Sequence, residues 1–236
     1  MSEDNENKVY RPRINISSQL PKPNPYVLLM DGQYKESAFN EERAPLNKGK
    51  WRSDIFKKEP QKPMDLEIGT GNGNHFAHHA IQNPDRVFLG MELKYKPLVQ
   101  SIRLAMSGGA KNAKIIRYHA YNIEDLFEEN ELDNVYIHFP DPWTTPNKPR
   151  HRIVNREFLK KLFLIQKAGS FIEFKTDSRE YFLWALEEIA ASPYQVEFQT
   201  FDLHSTEVAK TNFMTTFEKI FLKQKIEINY IKLIKK

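Results

Sequence analysis

Three glycines occupy alternate positions of one short loop, as Gly69, Gly71 and Gly73 in the segment D-L-E-I-G-T-G-N-G-N that begins at residue 65. Glycine allows a turn tight enough for a ligand to touch the backbone, and open α/β sheets bind ligands at the carboxyl ends of their strands. The loop follows an apolar run that contains Glu67 and precedes a helix-like stretch, so we predict a nucleoside cofactor here. The spacing is not the G-x-G-x-x-G of dinucleotide-binding proteins, and a loop that needs glycine only for its turn is the alternative.

A second acid, Glu92, ends the next apolar run, F-L-G-M-E. At the end of the second strand of such a sheet, a carboxylate accepts hydrogen bonds from ribose hydroxyls. A nicotinamide-dependent enzyme also places an acid about 20 residues beyond its glycine loop. Glu92 therefore agrees with a bound nucleoside but does not distinguish a nicotinamide cofactor from another nucleoside cofactor. The structural alternative is an exposed carboxylate at a strand end.

Three histidines follow the glycine loop as His75, His78 and His79. His75 and His79 stand one helical turn apart, a spacing that could hold a metal ion. No H-E-x-x-H pattern accompanies them, and the helix face carries no carboxylate. We interpret the three as surface residues of the first helix after the loop, and we expect no metal.

The most specific segment is F-P-D-P-W at residues 139–143, which we call the proline corner. Its two prolines flank Asp141 at the end of a predicted strand and fix the backbone around that acid. Trp143 lies beside them, and an acid next to an aromatic ring suits a flat ligand that forms hydrogen bonds. A proline-rich turn with a buried tryptophan is the structural alternative.

A basic segment follows the proline corner, at residues 144–161. It contains six lysines and arginines against the single acid Glu157, a local net charge of +5 in a chain whose formal net charge is +4. The rest of the chain is therefore close to neutral. Such a patch attracts polyanions, although a solvated face without a partner is the commoner meaning of a charge run.

Short apolar runs of strand length alternate with helix-length segments from residue 64 onward. Residues at three- and four-residue spacing, such as Phe158 with Leu162 and Tyr181 with Ala185, indicate helices with one buried face. This alternation predicts an α/β fold with parallel strands and covering helices, and an antiparallel strand at the end of the sheet. The predicted strands are residues 65–68, 87–91, 113–117, 135–139, 171–174, 196–200 and 226–234.

The proline-rich first part of the chain, residues 1–60, is predicted to be a partly flexible N-terminal arm, with the catalytic domain at 61–236. The chain has no cysteine, which excludes disulfides and thiolate chemistry. No apolar run approaches the roughly 20 residues of a membrane span, and the acidic start is unlike a secretory signal. We therefore expect a cytoplasmic protein without membrane contact.

Five motifs in this order resemble the tRNA (guanine-N7)-methyltransferase family, whose members are class I methyltransferases that use S-adenosylmethionine. The resemblance covers residues 64–236, and its most specific parts are the proline corner and the late T-x-F-E pair. The matching pieces are L-E-I-G-x-G-x-G from Leu66, G-M-E from Gly90, F-P-D-P-W from Phe139, K-T-D from Lys175 and T-T-F-E from Thr215.

The resemblance implies a Rossmann-like fold, a mostly parallel seven-stranded sheet with an antiparallel last strand and helices on both faces. It implies methyl transfer to N7 of guanine 46 in the variable loop of tRNA, with S-adenosylhomocysteine as product. Catalytic roles fall on Asp141 and Asp177. The implied cofactor-binding residues are Glu67, Gly69, Gly71, Glu92, His119, Ala120 and Asp141. The implied substrate-binding residues are Thr145, Lys148, Arg150, Arg152, Asp177, Thr215, Thr216, Phe217 and Glu218.

Two positions depart from the family pattern. The family usually has an acid or amide before the alanine at the end of its third strand, where this chain has His119 and Ala120. The adenine contact there would come from the imidazole or from the backbone. The family also commonly has lysine two residues after the tryptophan of the proline corner, where this chain has Thr145. The function of that lysine is either absent in this chain or carried out by Lys148 or Arg150.

Three other functions share parts of this pattern. A methyltransferase for a different RNA, a protein or a small molecule would share the cofactor residues, but a protein or small-molecule substrate would not need the basic segment. A nicotinamide-dependent oxidoreductase would share the glycine loop, and a non-catalytic RNA-binding module would share the basic segment. An RNA-binding function alone would not explain why three acids stand at the ends of successive strands. We expect tRNA as partner, and either a monomer or a weak homodimer.

Overall fold

The computed structural model describes residues 12–59, 61–144 and 151–236. They form one eight-stranded sheet in the order β1-β4-β3-β2-β5-β6-β8-β7. The strands are β1 Ala38–Phe39, β2 Met64–Ile68, β3 Val87–Met91, β4 Ala113–Ile116, β5 Val135–His138, β6 Phe171–Thr176, β7 Gln195–Thr200 and β8 Asn229–Ile234. The helices are α1 Pro25–Asp31, α2 Asn74–Gln82, α3 Tyr95–Ser107, α4 Arg156–Ile165, α5 Arg179–Ala190 and α6 Thr216–Lys223. None of these helices combines the length and apolar character that crossing a bilayer would require.

Strand directions confirm the predicted sheet. The last strand, β8, runs antiparallel to both of its neighbours, β6 and β7. All other neighbouring strands pair in parallel. The sheet has eight strands rather than seven because β1, from the N-terminal arm, pairs with β4 through Ala38 and Ile115. Two residues are too few to show the alternation that identifies a strand in a sequence.

The position of β2 within the sheet creates a crevice. Its neighbours are β3 on one side and β5 on the other, so the connections after β2 and β5 leave the sheet in opposite directions. Open α/β sheets bind their ligands in this crevice, outside the carboxyl ends of the strands. The glycine loop follows β2 and the proline corner follows β5, and both therefore lie at its mouth.

Two apolar cores cover the two faces of the sheet. On one face, Leu66 of β2 belongs to the same buried cluster as Phe158 of α4 and Phe182 of α5. On the other face, Phe88 of β3 clusters with Phe76 of α2 and with buried residues of α3. The predicted arrangement of helices on both faces is confirmed, and it buries the central strands on both sides, as parallel sheets require.

The described part of the N-terminal arm, residues 12–59, lies over the domain and shares its core. Trp51 is fully buried, and its Nε1 donates a hydrogen bond to the carbonyl of Leu126 at 2.8 Å. Glu41 and Arg117 form a buried ion pair at 2.7 Å between the arm and the end of β4. The arm therefore closes the β4 edge of the sheet and helps to fix the loops at its carboxyl end.

Candidate active site

One cavity at the carboxyl edge of β2 and β5, of about 580 Å³, collects most of the predicted site residues. We call it the edge cavity. Its lining includes all of the predicted cofactor residues and three of the predicted substrate residues. These are Glu67, Gly69, Gly71, Glu92, His119, Ala120, Asp141, Thr215, Thr216 and Phe217. The structure thus brings together residues that are up to 150 positions apart in the chain.

A second cavity of about 600 Å³ lies on the other side of His75, between α2 and β6 to β8. None of the predicted site residues is part of its lining, which includes Glu173, Lys175 and Tyr230. We therefore assign the site to the edge cavity. The two cavities meet at His75, which contributes to both.

The glycine loop leaves room for a ligand at two of its three glycines. Gly69 and Gly71 have positive φ values of 79° and 55°, and a Cβ at either would meet no atom within 4 Å. Their backbone therefore faces the open cavity. A Cβ on Gly73 would instead lie 2.4 Å from the Cα of Ser101 in α3, so the third glycine serves the close approach of loop and helix.

Glu92, which follows β3, holds the glycine loop in place through hydrogen bonds. Its carboxylate accepts hydrogen bonds from the backbone N–H of Gly71 at 3.1 Å and of Lys94 at 2.9 Å. Burial raises the pKa of Glu92. A carboxylate has about four lone-pair sites, so the group still has acceptor capacity toward the cavity. This is the geometry that a ribose-binding acid needs.

Glu67 and His75 form a buried pair at the floor of the edge cavity. Their Oε2 and Nδ1 atoms are 2.8 Å apart, and the two residues are 3% and 7% exposed. Burial raises the pKa of Glu67 to about 8. Burial, followed by the charge of Lys175, lowers the pKa of His75 to about 3. Both shifts favour the neutral forms, so we describe the pair as a neutral hydrogen bond near pH 7.

The surface interpretation of the histidine cluster is therefore wrong for His75. His79 is half-buried and contacts the carboxylate of Asp65 at 3.1 Å. His78 is exposed and stacks on Phe213 with ring centroids 4.1 Å apart. The carboxylates that the helix lacks are supplied by β2, on which Asp65 and Glu67 stand beneath α2.

The one candidate metal group in the described ranges joins Glu67, His75 and His138, whose ligand atoms lie within 4.8 Å of one another. His138 Nε2 is 2.8 Å from a carboxylate oxygen of Glu173, and its buried Nδ1 has no hydrogen-bond partner. Two histidines and a carboxylate suit zinc. The positive charge of Lys175 acts on both histidines and opposes a cation here. The expected absence of a metal stays a prediction.

The proline corner holds a strained backbone at the mouth of the cavity. Phe139 and Trp143, at its two ends, have positive φ values of 51° and 46°, a region that residues with a Cβ seldom adopt. The N–H of Phe139 donates to the carbonyl of Lys175 in β6 at 2.8 Å and ties the corner to the sheet. Such backbone strain concentrates at ligand sites. Asp141, between the prolines, is exposed on the lining of the edge cavity.

Arg152 lies inside the protein rather than on its surface. Its Nε donates to the carbonyl of Pro142 at 2.7 Å, and its side chain pairs with Glu180 and is 2% exposed. The guanidinium also lies over the rings of Tyr181 and Trp184, at 5.2 and 5.3 Å from their centroids. The geometry therefore makes Arg152 a clamp between the proline corner and α5, with its Nε and Nη2 atoms already engaged in hydrogen bonds.

The other described cations of the basic segment are also paired. Arg156 forms an ion pair with Glu188 at 2.7 Å, and Lys160 pairs with Glu157 at 2.9 Å. Lys161 pairs with Glu124. Acids from elsewhere in the chain thus pair with three of the four described cations of the segment, and Glu157, inside it, pairs with the fourth. Thr145, Lys148 and Arg150 lie outside the described residues.

Asp177 follows β6 at the same edge of the sheet as Asp141, but it does not line the edge cavity. The cap of the following helix, α5, is Ser178, whose Oγ accepts from the N–H of Tyr181 at 3.2 Å. Asp177 therefore does not serve as that cap. Burial raises the pKa of Asp177, which identifies a carboxyl partly removed from water.

Glu218 is fully buried, although the family resemblance assigns it to substrate. Its oxygens contact Lys175 Nζ at 3.1 Å, His204 Nε2 at 2.8 Å and Asn212 Nδ2 at 2.6 Å. Its own N–H donates to Thr215 Oγ1, and together they form a capping box at the start of α6. Glu218 thus holds the end of α6 that carries Phe217 into the cavity, and in this arrangement it does not itself face the cavity.

We expect Arg152→Ala to destabilise the protein by about 2–3 kcal/mol, because it leaves the Pro142 carbonyl without its donor and removes a buried side chain. Urea denaturation would measure the loss. Since Arg152 does not face solvent, the dependence of tRNA affinity on salt should keep its slope. Normal stability together with a shallower salt slope would instead identify Arg152 as a phosphate contact.

The fold and the edge cavity define a class I methyltransferase. A solved structure described as an antibiotic-related methyltransferase superposes with a TM-score of 0.56 at 20% identity, over 77% of this chain and 92% of that one. This similarity concerns the fold. The family model described as "Putative methyltransferase" matches residues 61–230.

Two curated relatives identify the family. A tRNA (guanine-N(7)-)-methyltransferase of Bdellovibrio bacteriovorus is 59% identical over 88% of this chain and all of the relative. One of Lachnoclostridium phytofermentans is 33% identical over 74% of this chain and 80% of the relative. The chain belongs to the tRNA (guanine-N7)-methyltransferase family, as its motifs indicated.

Proposed function

We propose that this protein transfers the methyl group of S-adenosylmethionine to N7 of a guanine in tRNA, at position 46 of the variable loop, and releases S-adenosylhomocysteine. The observation that carries the proposal is the edge cavity, where one crevice joins the glycine loop, the two strand-end acids and the proline corner. Family membership supports the same activity. Because tRNA is the substrate, we place the activity in the cytoplasm.

The residues of the edge cavity fit S-adenosylmethionine. The open backbone of Gly69 and Gly71 leaves space for a nucleoside, and Glu92 offers acceptors for its ribose. His119 Nδ1 accepts from the N–H of Tyr121, which leaves the proton on Nε2 as a donor toward an adenine nitrogen. Glu67 supplies a carboxylate for a cofactor that carries a positive ammonium and a positive sulfonium group.

The chemistry requires little proton transfer from the protein. When bound, the cofactor supplies a methyl group on a positively charged sulfur. Guanine N7 has an available lone pair and no proton, so no general base is needed. The protein's task is to hold N7 in line with that methyl, and proximity and orientation contribute up to about 7–11 kcal/mol in favourable cases.

Two acids and one ring are our candidates for holding the guanine. Asp141 is fixed at the cavity mouth between its prolines, and Asp177 lies at the same edge. A carboxylate can accept hydrogen bonds from the guanine N1 and N2 donors and favours the positive charge of the methylated ring. Phe217 is 51% exposed on the cavity lining and offers its face for stacking of an unstacked base.

The test is methyl transfer from labelled S-adenosylmethionine to bulk tRNA that lacks the modification, followed by nucleoside digestion and mapping. We expect 7-methylguanosine at position 46. A transcript with adenosine at that position is the matched control and should accept no label there. Label at another nucleoside would change the substrate assignment, and an absence of transfer to any tRNA would contradict the proposed function.

A further inference from the structure

The helix α6 is fixed at the mouth of the edge cavity. Thr216 and Phe217, in its first turn, line that cavity, and Thr216 Oγ1 accepts a hydrogen bond from Asn74 of α2. Phe139 of the proline corner packs on the inner side of α6, with its ring 5.6 Å from that of Phe221. A polymer whose base enters the cavity beside Phe217 would therefore pass over α6.

The outer face of α6 carries apolar and basic side chains, and the ring of Phe217 borders it beside the rings of Phe139 and Phe221. Phe217 is 51% exposed and Ile220 is 43% exposed. Lys219 and Lys223, one helical turn apart, are exposed on the same side of the helix, away from the buried Glu218. Positively charged side chains next to exposed rings form the pattern that single-stranded nucleic acid recognises.

Within the part of the chain that the structure describes, the lysines of this face have no ion-pair partner. Among the residues that the structure describes, no carboxylate forms an ion pair with Lys219, Lys223 or the exposed Lys225 that follows the helix. Arg156 and Lys160 of the basic segment are, by contrast, each paired with an acid. A phosphate that approaches α6 therefore meets lysines that no described carboxylate already holds.

We propose that the outer face of α6, formed by Lys219, Ile220 and Lys223 together with Lys225 and bordered by Phe217, is a docking surface for the tRNA backbone next to the target guanine. This rests on the proposed function. Lys219 and Lys223 neutralise successive phosphates without reading bases, and the phosphates direct the flanking strand along α6. Phe217, at the end nearest the cavity, stacks with the base that leaves the tRNA fold.

The experiment compares Lys219→Ala/Lys223→Ala with Lys111→Ala, and it measures binding of unmodified tRNA by fluorescence anisotropy across a salt series. Lys111 is also exposed, but it precedes β4 and so lies at the amino ends of the parallel strands, away from the edge cavity at their carboxyl ends. We expect the double variant to lose about 1.4 to 1.8 from the slope of log affinity against log salt, and roughly tenfold in affinity near physiological salt. The Lys111→Ala slope should match that of the wild-type protein.

Two further measurements separate the possible failures. Melting temperature and S-adenosylmethionine affinity should be unchanged in the double variant, because its lysines lie outside the cofactor residues. If the wild-type protein methylates tRNA and the double variant keeps the wild-type salt slope, the docking surface is refuted and the proposed function stands. If the wild-type protein transfers no methyl group to tRNA, the proposed function fails by a result that does not depend on these lysines.

Discussion

Asp177→Asn is expected to reduce methyl transfer to tRNA about a hundredfold or more while the protein keeps its fold. The reduction is comparable to the loss of one preorganised electrostatic contact in an active site. Asparagine has nearly the shape of aspartate but lacks the negative charge that favours the cationic methylated guanine. Single-turnover rates with saturating tRNA and cofactor would measure the effect, and cofactor affinity should be unchanged because Asp177 does not line the edge cavity.

A structural explanation for Asp177 would be that it caps α5. Ser178 fills that position, so Ser178→Ala is the matched control. It should cost about 0.5–2 kcal/mol of stability with a smaller effect on turnover. Nearly normal turnover in Asp177→Asn would remove the catalytic assignment. Glu218 would not be an easy replacement, because its oxygens are engaged in the interior by Lys175 and His204.

The central sheet could be predicted because its strands differ sharply from their surroundings. Strands such as β3, with the sequence V-F-L-G-M, are short apolar runs, and burial on both faces makes these runs continuous. The pairing of β1 with β4 could not be predicted in this way. It depends on Ala38 meeting Ile115 across 77 residues of chain, and two residues carry no periodic signal.

The cofactor residues were predictable for a geometric reason. Parallel strands bring their carboxyl ends to one edge, so Glu67, Glu92 and Asp141 at three strand ends had to converge. The partners of His75 and Arg152 were not predictable. His75 pairs with Glu67 beneath its helix, and Arg152 pairs with Glu180, 28 residues further along. A run of basic residues in the sequence shows how many positive charges are present, but it does not show which acidic residues lie next to them in the folded protein.

The structural role of Glu218 could have been predicted from the sequence. Thr215 and Glu218 have the S/T-x-x-E spacing of a capping box, which marks the start of a helix. The family resemblance directed attention to substrate instead. The structure reconciles the two, because a rigid cap at this point fixes the orientation of Phe217, which lies between the two capping residues.

The affinity for S-adenosylmethionine is expected to depend on pH through Glu67. Its pKa of about 8 means that the carboxyl holds a proton near pH 7, and this proton must leave before a negative carboxylate can face the positive groups of the cofactor. Affinity should therefore be about fiftyfold weaker at about pH 6 than at about pH 8, since the ionised fraction falls roughly tenfold per pH unit below the pKa. Isothermal titration calorimetry would measure it.

The same group affects stability with the opposite trend. Because the pKa of Glu67 rises from 4.5 to about 8 on folding, the protein without cofactor should lose stability as the pH rises through that interval. Below pH 6.5 this contribution is offset by His75, because folding lowers the pKa of His75 from 6.5 to about 3 and so makes the protein more stable as the pH rises through that range. The net loss of stability is therefore expected between pH 6.5 and about pH 8, where Glu67 is the one member of the pair that still titrates.

Glu67→Gln is the control that isolates this carboxyl, because it keeps the shape of the side chain and removes its titration. The burial of Glu92 also raises its pKa, so any pH dependence that remains in Glu67→Gln belongs to Glu92 or to the cofactor itself. Binding to the wild-type protein near pH 7 should also release close to one proton, seen as a heat that differs between buffers of different ionisation enthalpy. If the variant and the wild-type protein show the same pH profile and the same proton release, Glu67 does not ionise on binding, and its role is limited to holding His75 beneath the cavity floor.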